Sequence, residues 1–354
     1  MNLLPLPQLP DVLGGVTNPT DWSARREEIK DILCRYEYGM PLPKPQKMTY
    51  TVEDHRENYC ASKMTFELVR FTAFQDDRTF SFPVRIAYHN DGKAHPAVVS
   101  MNFNPNFPNH YLPVEELGDR GMAVAAFYYE DVAGDNNDFE SGAAAFWQID
   151  RTQPTAPGKL MLWAWAAGLV ADYLAEQPYA DETRLAVSGH SRLGKTALLA
   201  GAMYERFQFV YSNDSGCGGC ALFRDAVEGS EMIADITRSF PFWFCPRFAE
   251  YANREDDLPF DQHFLLALSA PRHVYAASAE LDRWADPNAE LRSCLAVGPV
   301  YELLGKKPLT CEEFPPIGTS LHDADVGYHV RKGSHFMSRE DWNRFVDFVE
   351  KKSV

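Results

Sequence analysis

The segment from Leu185 to Gly201, LAVSGHSRLGKTALLAG, constrains the chain more than any other: an apolar run breaks at Gly189-His190-Ser191 and resumes at helical spacing. A strand that turns sharply into a helix belongs to a sheet covered by helices, and two unrelated chemistries exploit that turn. Gly189, Gly194, Lys195 and Thr196 satisfy the phosphate-loop spacing G-x-x-x-x-G-K-[ST], which would make the protein nucleotide-binding. Gly189-His190-Ser191 also begins a nucleophile elbow, in which the turn holds a serine at the top of the sheet. The rest of the chain has to separate the two.

A phosphate loop needs slim residues so that successive N–H groups can wrap an anion. Here the intervening residues are His190, Ser191, Arg192 and Leu193, which are bulky, although Asp214 beyond the next strand would serve as a metal-holding acid. An elbow needs an acid past a late strand and a histidine past the last one, in that chain order. Strand HVYAASAE runs into LDRWADP, offering Glu280, Asp282 and Asp286, and DVGYHV runs into RKGSHFMS, offering His335 just before a closing helix. The order serine, acid, histidine favours the elbow. One departure remains: G-x-S-x-G wants glycine at 193, and the chain has Leu193 with glycine at 194.

The wider pattern is that of an α/β protein. Strands are expected at 65–74, 79–89, 95–103 and 122–129, followed by alternating helices and strands: a helix from Leu160, strand RLAVSG, a helix at 193–206, strands FQFVYSN and HVYAASAE, and an amphipathic helix from Ser338. Such alternation predicts a mostly parallel central sheet with helices on both faces, a three-layer sandwich, and the short early turns predict an antiparallel edge. Residues 1–354 read as a single catalytic domain, with 1–45 an N-terminal helical arm that includes WSARREEIKDILCRY and ends in proline-rich sequence.

Composition excludes several classes. Against 34 Lys and Arg stand 50 Asp and Glu, and the net charge of -16 disfavours nucleic acid and anionic lipid as partners. The longest apolar run, LMLWAWAAGLVADYL, is too short to span a bilayer. No obligate protein partner is evident. Seven cysteines, an odd number, fit reduced thiols, and Cys217-x-x-Cys220 has no second pair at metal spacing. MNLLPLPQLPDVLGG lacks the basic and apolar regions of a secretory signal, so a cytoplasmic location is expected, or a secreted one if the chain begins after a removed signal.

GHSRLGK, with arginine after the serine and the glycine displaced by one, resembles the elbow of the glucuronoyl esterases of carbohydrate esterase family 15, an α/β-hydrolase family. The resemblance extends through SNDSGCGGCALFRD, FPFWFCPRF, LPFDQHFLLALSAPRHVYAASAELDRWADP and GYHVRKGSH, about residues 85 to 350. It implies an α/β-hydrolase fold with Ser191 as nucleophile, His335 as base, and either Asp282 or Asp214 as the acid, Asp282 being favoured. It further implies that Arg192 stabilises the oxyanion, that Lys195 and Glu231 bind uronate hydroxyls, and that Trp284 packs beside the sugar. The implied reaction is hydrolysis of (4-O-methyl-)glucuronic acid esters through an acyl-enzyme, without metal or cofactor, on an ester derived from glucuronoxylan. A cytoplasmic member would meet imported fragments of that polymer. Carbohydrate deacetylation on the same fold, or sugar binding without catalysis, are the alternatives.

Overall fold

In a computed structural model that describes residues 1–353, ten strands form one sheet. They are β1 (Lys47–Asn58), β2 (Met64–Gln75), β3 (Arg78–His89), β4 (His95–Asn102), β5 (Ala123–Tyr128), β6 (Ala180–His190), β7 (Phe209–Asn213), β8 (His273–Ala279), β9 (Ser320–Leu321) and β10 (Val326–Arg331). Their spatial order is β1-β2-β3-β5-β4-β6-β7-β8-β10-β9. β1, β2, β3 and β5 pair antiparallel, whereas every junction from β5 to β10 is parallel. β5 lies between β3 and β4, and the parallel strands open their carboxyl ends toward one edge, where ligands of such sheets bind. This is the α/β-hydrolase arrangement, with the expected antiparallel margin.

The strand sequences explain the two covered faces. In β4, Ala97, Val99 and Met101 enter one hydrophobic cluster while Val98 enters the other; in β5, Ala123, Ala125 and Phe127 alternate with Val124 and Ala126 in the same way. Both faces are therefore apolar, as a parallel sheet between helices requires. The helices Lys159–Leu174 and Arg192–Met203 bury their residues in the first cluster. The helices Val114–Asp119 and Arg339–Lys352 pack in the second. Among the described residues, no helix is long and apolar enough to cross a membrane.

At the amino end, the Trp22–Leu33 helix widens into a π-helical turn at Cys34–Tyr38. Arg26 ties this helix down, donating to the carbonyls of Leu268 and Ala202 at 3.0 Å each. β1 is an addition to the expected strands. Its residues are mostly exposed on both sides, so no alternation of apolar and polar marks it in the sequence. All seven cysteines are free, and Cys220 Sγ lies 3.8 Å from that of Cys294 rather than pairing with Cys217.

Candidate active site

Ser191 occupies the tip between β6 and the Arg192–Met203 helix at φ 58°, ψ −126°, a backbone region that costs a non-glycine residue about 1–3 kcal/mol. Strain of that kind persists only where the surroundings enforce it. Here Ser191 N–H donates to the Asn213 carbonyl at 2.9 Å, and the Ser191 carbonyl accepts from Gly194 and Lys195 N–H at 2.9 and 3.1 Å. These bonds consume loop N–H groups that a phosphate cradle would leave free, so the turn is built as an elbow. The displaced glycine has a steric reason. A Cβ at 189 would meet the Leu193 carbonyl at 2.0 Å and one at 194 the Asn213 carbonyl at 3.0 Å, whereas Leu193 itself points into the core.

Ser191, Arg192, Lys195, Asp214, Glu231, Asp282, Trp284 and His335 all line one cavity of about 320 Å³ at the carboxyl edge of the sheet. Glu280 and Asp286, the other acids offered after β8, do not line the cavity, whereas the eight residues to which the resemblance assigns a role converge there. Their surroundings differ. His335 Nδ1 lies 2.5 Å from Asp282 Oδ2, a charge-assisted contact that leaves Nε2 for the cleft. Asp214 is not paired with the imidazole: its Oδ1 accepts from Ala279 N–H at 2.7 Å and its Oδ2 lies 3.5 Å from Arg331 Nη2. Burial, followed by the neighbouring carboxyls of Glu290, Asp282 and Asp341, pushes the Asp214 carboxyl well above the ordinary carboxylate range. Asp214, Asp282 and His335 offer ligand atoms within 4.8 Å of one another, a spacing that would suit a cation. The Arg331 guanidinium at Asp214 already supplies positive charge there, and the short Asp282–His335 contact leaves no gap for an ion between them.

Arg192 turns its guanidinium into an aromatic box. It lies 4.7 Å from the Trp243 ring centre, 5.4 Å from Phe240 and 5.7 Å from Phe103, and pairs with Asp135 through Nη1. Asp135 also accepts from Trp243 Nε1 at 2.7 Å and from the Tyr129 hydroxyl at 2.9 Å. Lys195 is only 4% exposed, and its ammonium donates to the carbonyls of Ser215 and Cys217 at 2.5 and 2.6 Å, with Glu231 at 3.6 Å. Trp284 is 52% exposed at the cavity rim, and its carbonyl accepts from Glu231 N–H at 3.0 Å.

Several site residues were not singled out from the sequence. Asp135, Phe240 and Trp243 build the box; FPFWFCPRF drew notice as a block without a role for its aromatics. The His190 ring lies 4.4 Å from that of His335 and bonds Asn213 through Nδ1 at 2.7 Å; burial, then the neighbouring His335, lowers its pKa to about 3, so it stays neutral. Glu290 accepts from the N–H groups of Ser215 and Gly216 and from the Ser278 hydroxyl, pinning the loop behind Lys195. His190 sits inside GHSRLGK and Phe240 and Trp243 inside FPFWFCPRF, but no local pattern shows their roles, because each acts through neighbours distant in sequence.

A family model described as "Glucuronyl esterase, fungi" matches residues 71–305. Among curated proteins, a carbohydrate esterase, MZ0003, from an unknown prokaryotic organism is 39% identical over 240 residues, covering 67% of this chain and 55% of that protein. A 4-O-methyl-glucuronoyl methylesterase of Podospora anserina is 31% identical over 270 residues, covering 73% of this chain and 52% of that one. The chain thus spans about half the length of these two relatives. Among solved structures, a glucuronoyl esterase from Solibacter usitatus superposes with a TM-score of 0.89 at 30% identity, covering 98% of both chains. A family match over residues 71–305 and a fold shared along nearly the whole length agree: the chain belongs to the glucuronoyl esterase family.

Proposed function

We propose that the protein is a serine esterase that hydrolyses esters of glucuronic or 4-O-methyl-glucuronic acid, taking as substrate a saccharide ester derived from glucuronoxylan. Ser191 Oγ attacks the ester carbonyl as His335 Nε2 accepts its proton. Asp282 holds the imidazole in the required tautomer and balances the imidazolium. Negative charge develops on the carbonyl oxygen beside the start of the Arg192–Met203 helix, where the Arg192 N–H has no intrahelical partner and the Arg192 guanidinium adds positive charge. The imidazolium then protonates the departing alcohol, and water, deprotonated by the same histidine, releases the uronic acid from the acyl-enzyme.

The acyl portion of such an ester carries ring hydroxyls, and the cavity offers polar groups suited to them. Lys195 and Glu231 face each other across its floor, and Trp284 presents an open aromatic surface at the rim. An acetyl group would use none of these. The observation that carries the reading is the 2.5 Å Asp282–His335 contact in the same cavity as a strained elbow serine. Family relatives named 4-O-methyl-glucuronoyl methylesterase support the substrate class. The test is release of acid from methyl 4-O-methyl-glucuronate by the wild type and by Ser191→Ala. Turnover that vanishes in the variant supports the reading; turnover that persists, or a wild type that binds the ester without cleaving it, overturns it.

A further inference from the structure

His335 is the most exposed member of the proposed triad, its side chain 42% accessible, so packing from outside does little to hold it. What holds its loop lies underneath. Arg331, the last residue of β10, is buried, and its guanidinium spends its donors on that loop. Nη1 donates to the Lys332 carbonyl at 3.1 Å; Nη2 donates to the Ser334 carbonyl at 3.1 Å and to that of Phe336. The carbonyls of 334 and 336 flank His335 on either side. Nε meanwhile donates to both oxygens of Asp341, at 2.9 and 2.7 Å, which anchors the fork to the first turn of the Arg339–Lys352 helix, where Asp341 also closes the cap with Ser338. The loop wraps the guanidinium so closely that Gly333, at φ 114°, would bring a Cβ within 3.1 Å of Nη1.

We infer that Arg331 is a positioning residue for the catalytic base, clamping the peptide carbonyls on both sides of His335 so that the imidazole stays between Asp282 and the nucleophile. The inference rests on the hydrolytic reading given above. A planar guanidinium suits the task because several fixed donors serve several acceptors at once, whereas a lysine ammonium at the same place is a point donor on a flexible stem. Charge alone does not restore the clamp, so lysine should not rescue it. Lys195, on the Arg192–Met203 helix, and Glu231 and Trp284, on other loops, lie outside this clamp.

Three variants test this: Arg331→Lys, Arg331→Met and Gly333→Ala, the last crowding the clamp without removing it. Two readouts apply: steady-state kinetics on methyl 4-O-methyl-glucuronate, and the proton resonance of the His335 Nδ1–H bonded to Asp282. Misplacing a reacting group by about 1 Å can cost roughly a hundredfold in rate. Folded Arg331→Lys and Gly333→Ala should lose kcat by about that factor with KM nearly unchanged, and the Nδ1–H resonance should broaden or shift. Wild-type kcat and an unchanged resonance in either folded variant would overturn the proposal. So would loss of folding in both Arg331 variants with Gly333→Ala indistinguishable from wild type, which would make Arg331 a fold residue only. The resonance is read without turnover, so a wild type inactive on the ester would defeat the hydrolytic reading and still leave the clamp tested.

Discussion

Replacing Asp282 with asparagine probes the site at its shortest contact. The carboxylate lies 2.5 Å from His335 Nδ1 and is buried, so the amide meets the ring nitrogen in a place where little water can substitute. An asparagine that turns its NH2 toward Nδ1 donates there and favours the tautomer with its proton facing the cleft, and in either orientation the neutral amide no longer balances an imidazolium. In a serine protease triad the same change costs roughly four orders of magnitude, which at about 1.36 kcal/mol per decade is about 5.4 kcal/mol of transition-state stabilisation. Asp214→Asn should behave differently. Its Oδ1 already serves the Ala279 N–H, an acceptor role that an asparagine oxygen keeps, and burial favours its protonated form, which contributes little charge to an imidazolium. Loss of one modest hydrogen-bond interaction, about 0.5–1.5 kcal/mol, gives about a tenfold decrease at most. The assay is kcat/KM on methyl 4-O-methyl-glucuronate near neutral pH, with melting temperatures to establish folding. A larger loss at Asp214→Asn than at Asp282→Asn would refute the assignment and move the acid to the end of β7.

Ser191→Gly should be inactive yet more stable than wild type by about 1 kcal/mol or more, because glycine relieves the backbone strain at φ 58°; a lower melting temperature would show that the strain is not stored there. Lys195→Ala should lower kcat/KM on a glucuronate ester by about ten- to a hundredfold, the worth of a hydrogen bond from a charged donor. It should lower aryl acetate hydrolysis less, though measurably, since the same ammonium supports the Ser215 and Cys217 carbonyls; equal losses would make it a loop support alone. Glu37, fully buried in the π-helical turn, has one oxygen without a partner, and burial raises its pKa from 4.5 to about 8, partly offset by Gln262 and Tyr38. The native state therefore keeps its proton where the unfolded chain has lost it, and stability from this group falls as pH rises between about 4.5 and 8. Glu37→Gln should melt progressively higher than wild type across that window; a constant gap would contradict the burial argument.

The parallel core was legible in the sequence because its strands are continuous apolar runs and its helices follow them at short spacing. β4, β5, β8 and β10 fall within about two residues of the expected segments. β1 was not legible, since an edge strand exposed on both faces carries no period-two signal. The helix expected over 22–36 keeps α-helical geometry to Leu33 and then widens, placing Glu37 and Tyr38 against the interior; neither residue announces that. In the site, the chain order of Ser191, Asp282 and His335 was readable because topology dictates it. Asp282 was favoured over Asp214 through the resemblance alone, since the residues themselves do not say which carboxyl faces Nδ1. Asp135 and Trp243 were invisible for a related reason: each matters through a partner more than one loop away, such as Arg192 for Asp135 across 57 positions. Arg331 stands inside GYHVRKGSH, but nothing in that block says that its side chain folds back onto the carbonyls of its own loop.

The most direct test of the central claim compares wild-type hydrolysis of benzyl glucuronate with that of an aryl acetate. An aryl acetate has the better leaving group, so an esterase indifferent to its acyl portion cleaves it faster. The cavity, lined by Lys195 and Glu231 with Trp284 at its rim, should reverse that order, giving a higher kcat/KM on the glucuronate by at least about tenfold through hydrogen bonds an acetyl group cannot form. A preference for the acetate, or benzyl glucuronate left intact while the acetate is cleaved, would contradict the account and assign the chain a deacetylating role.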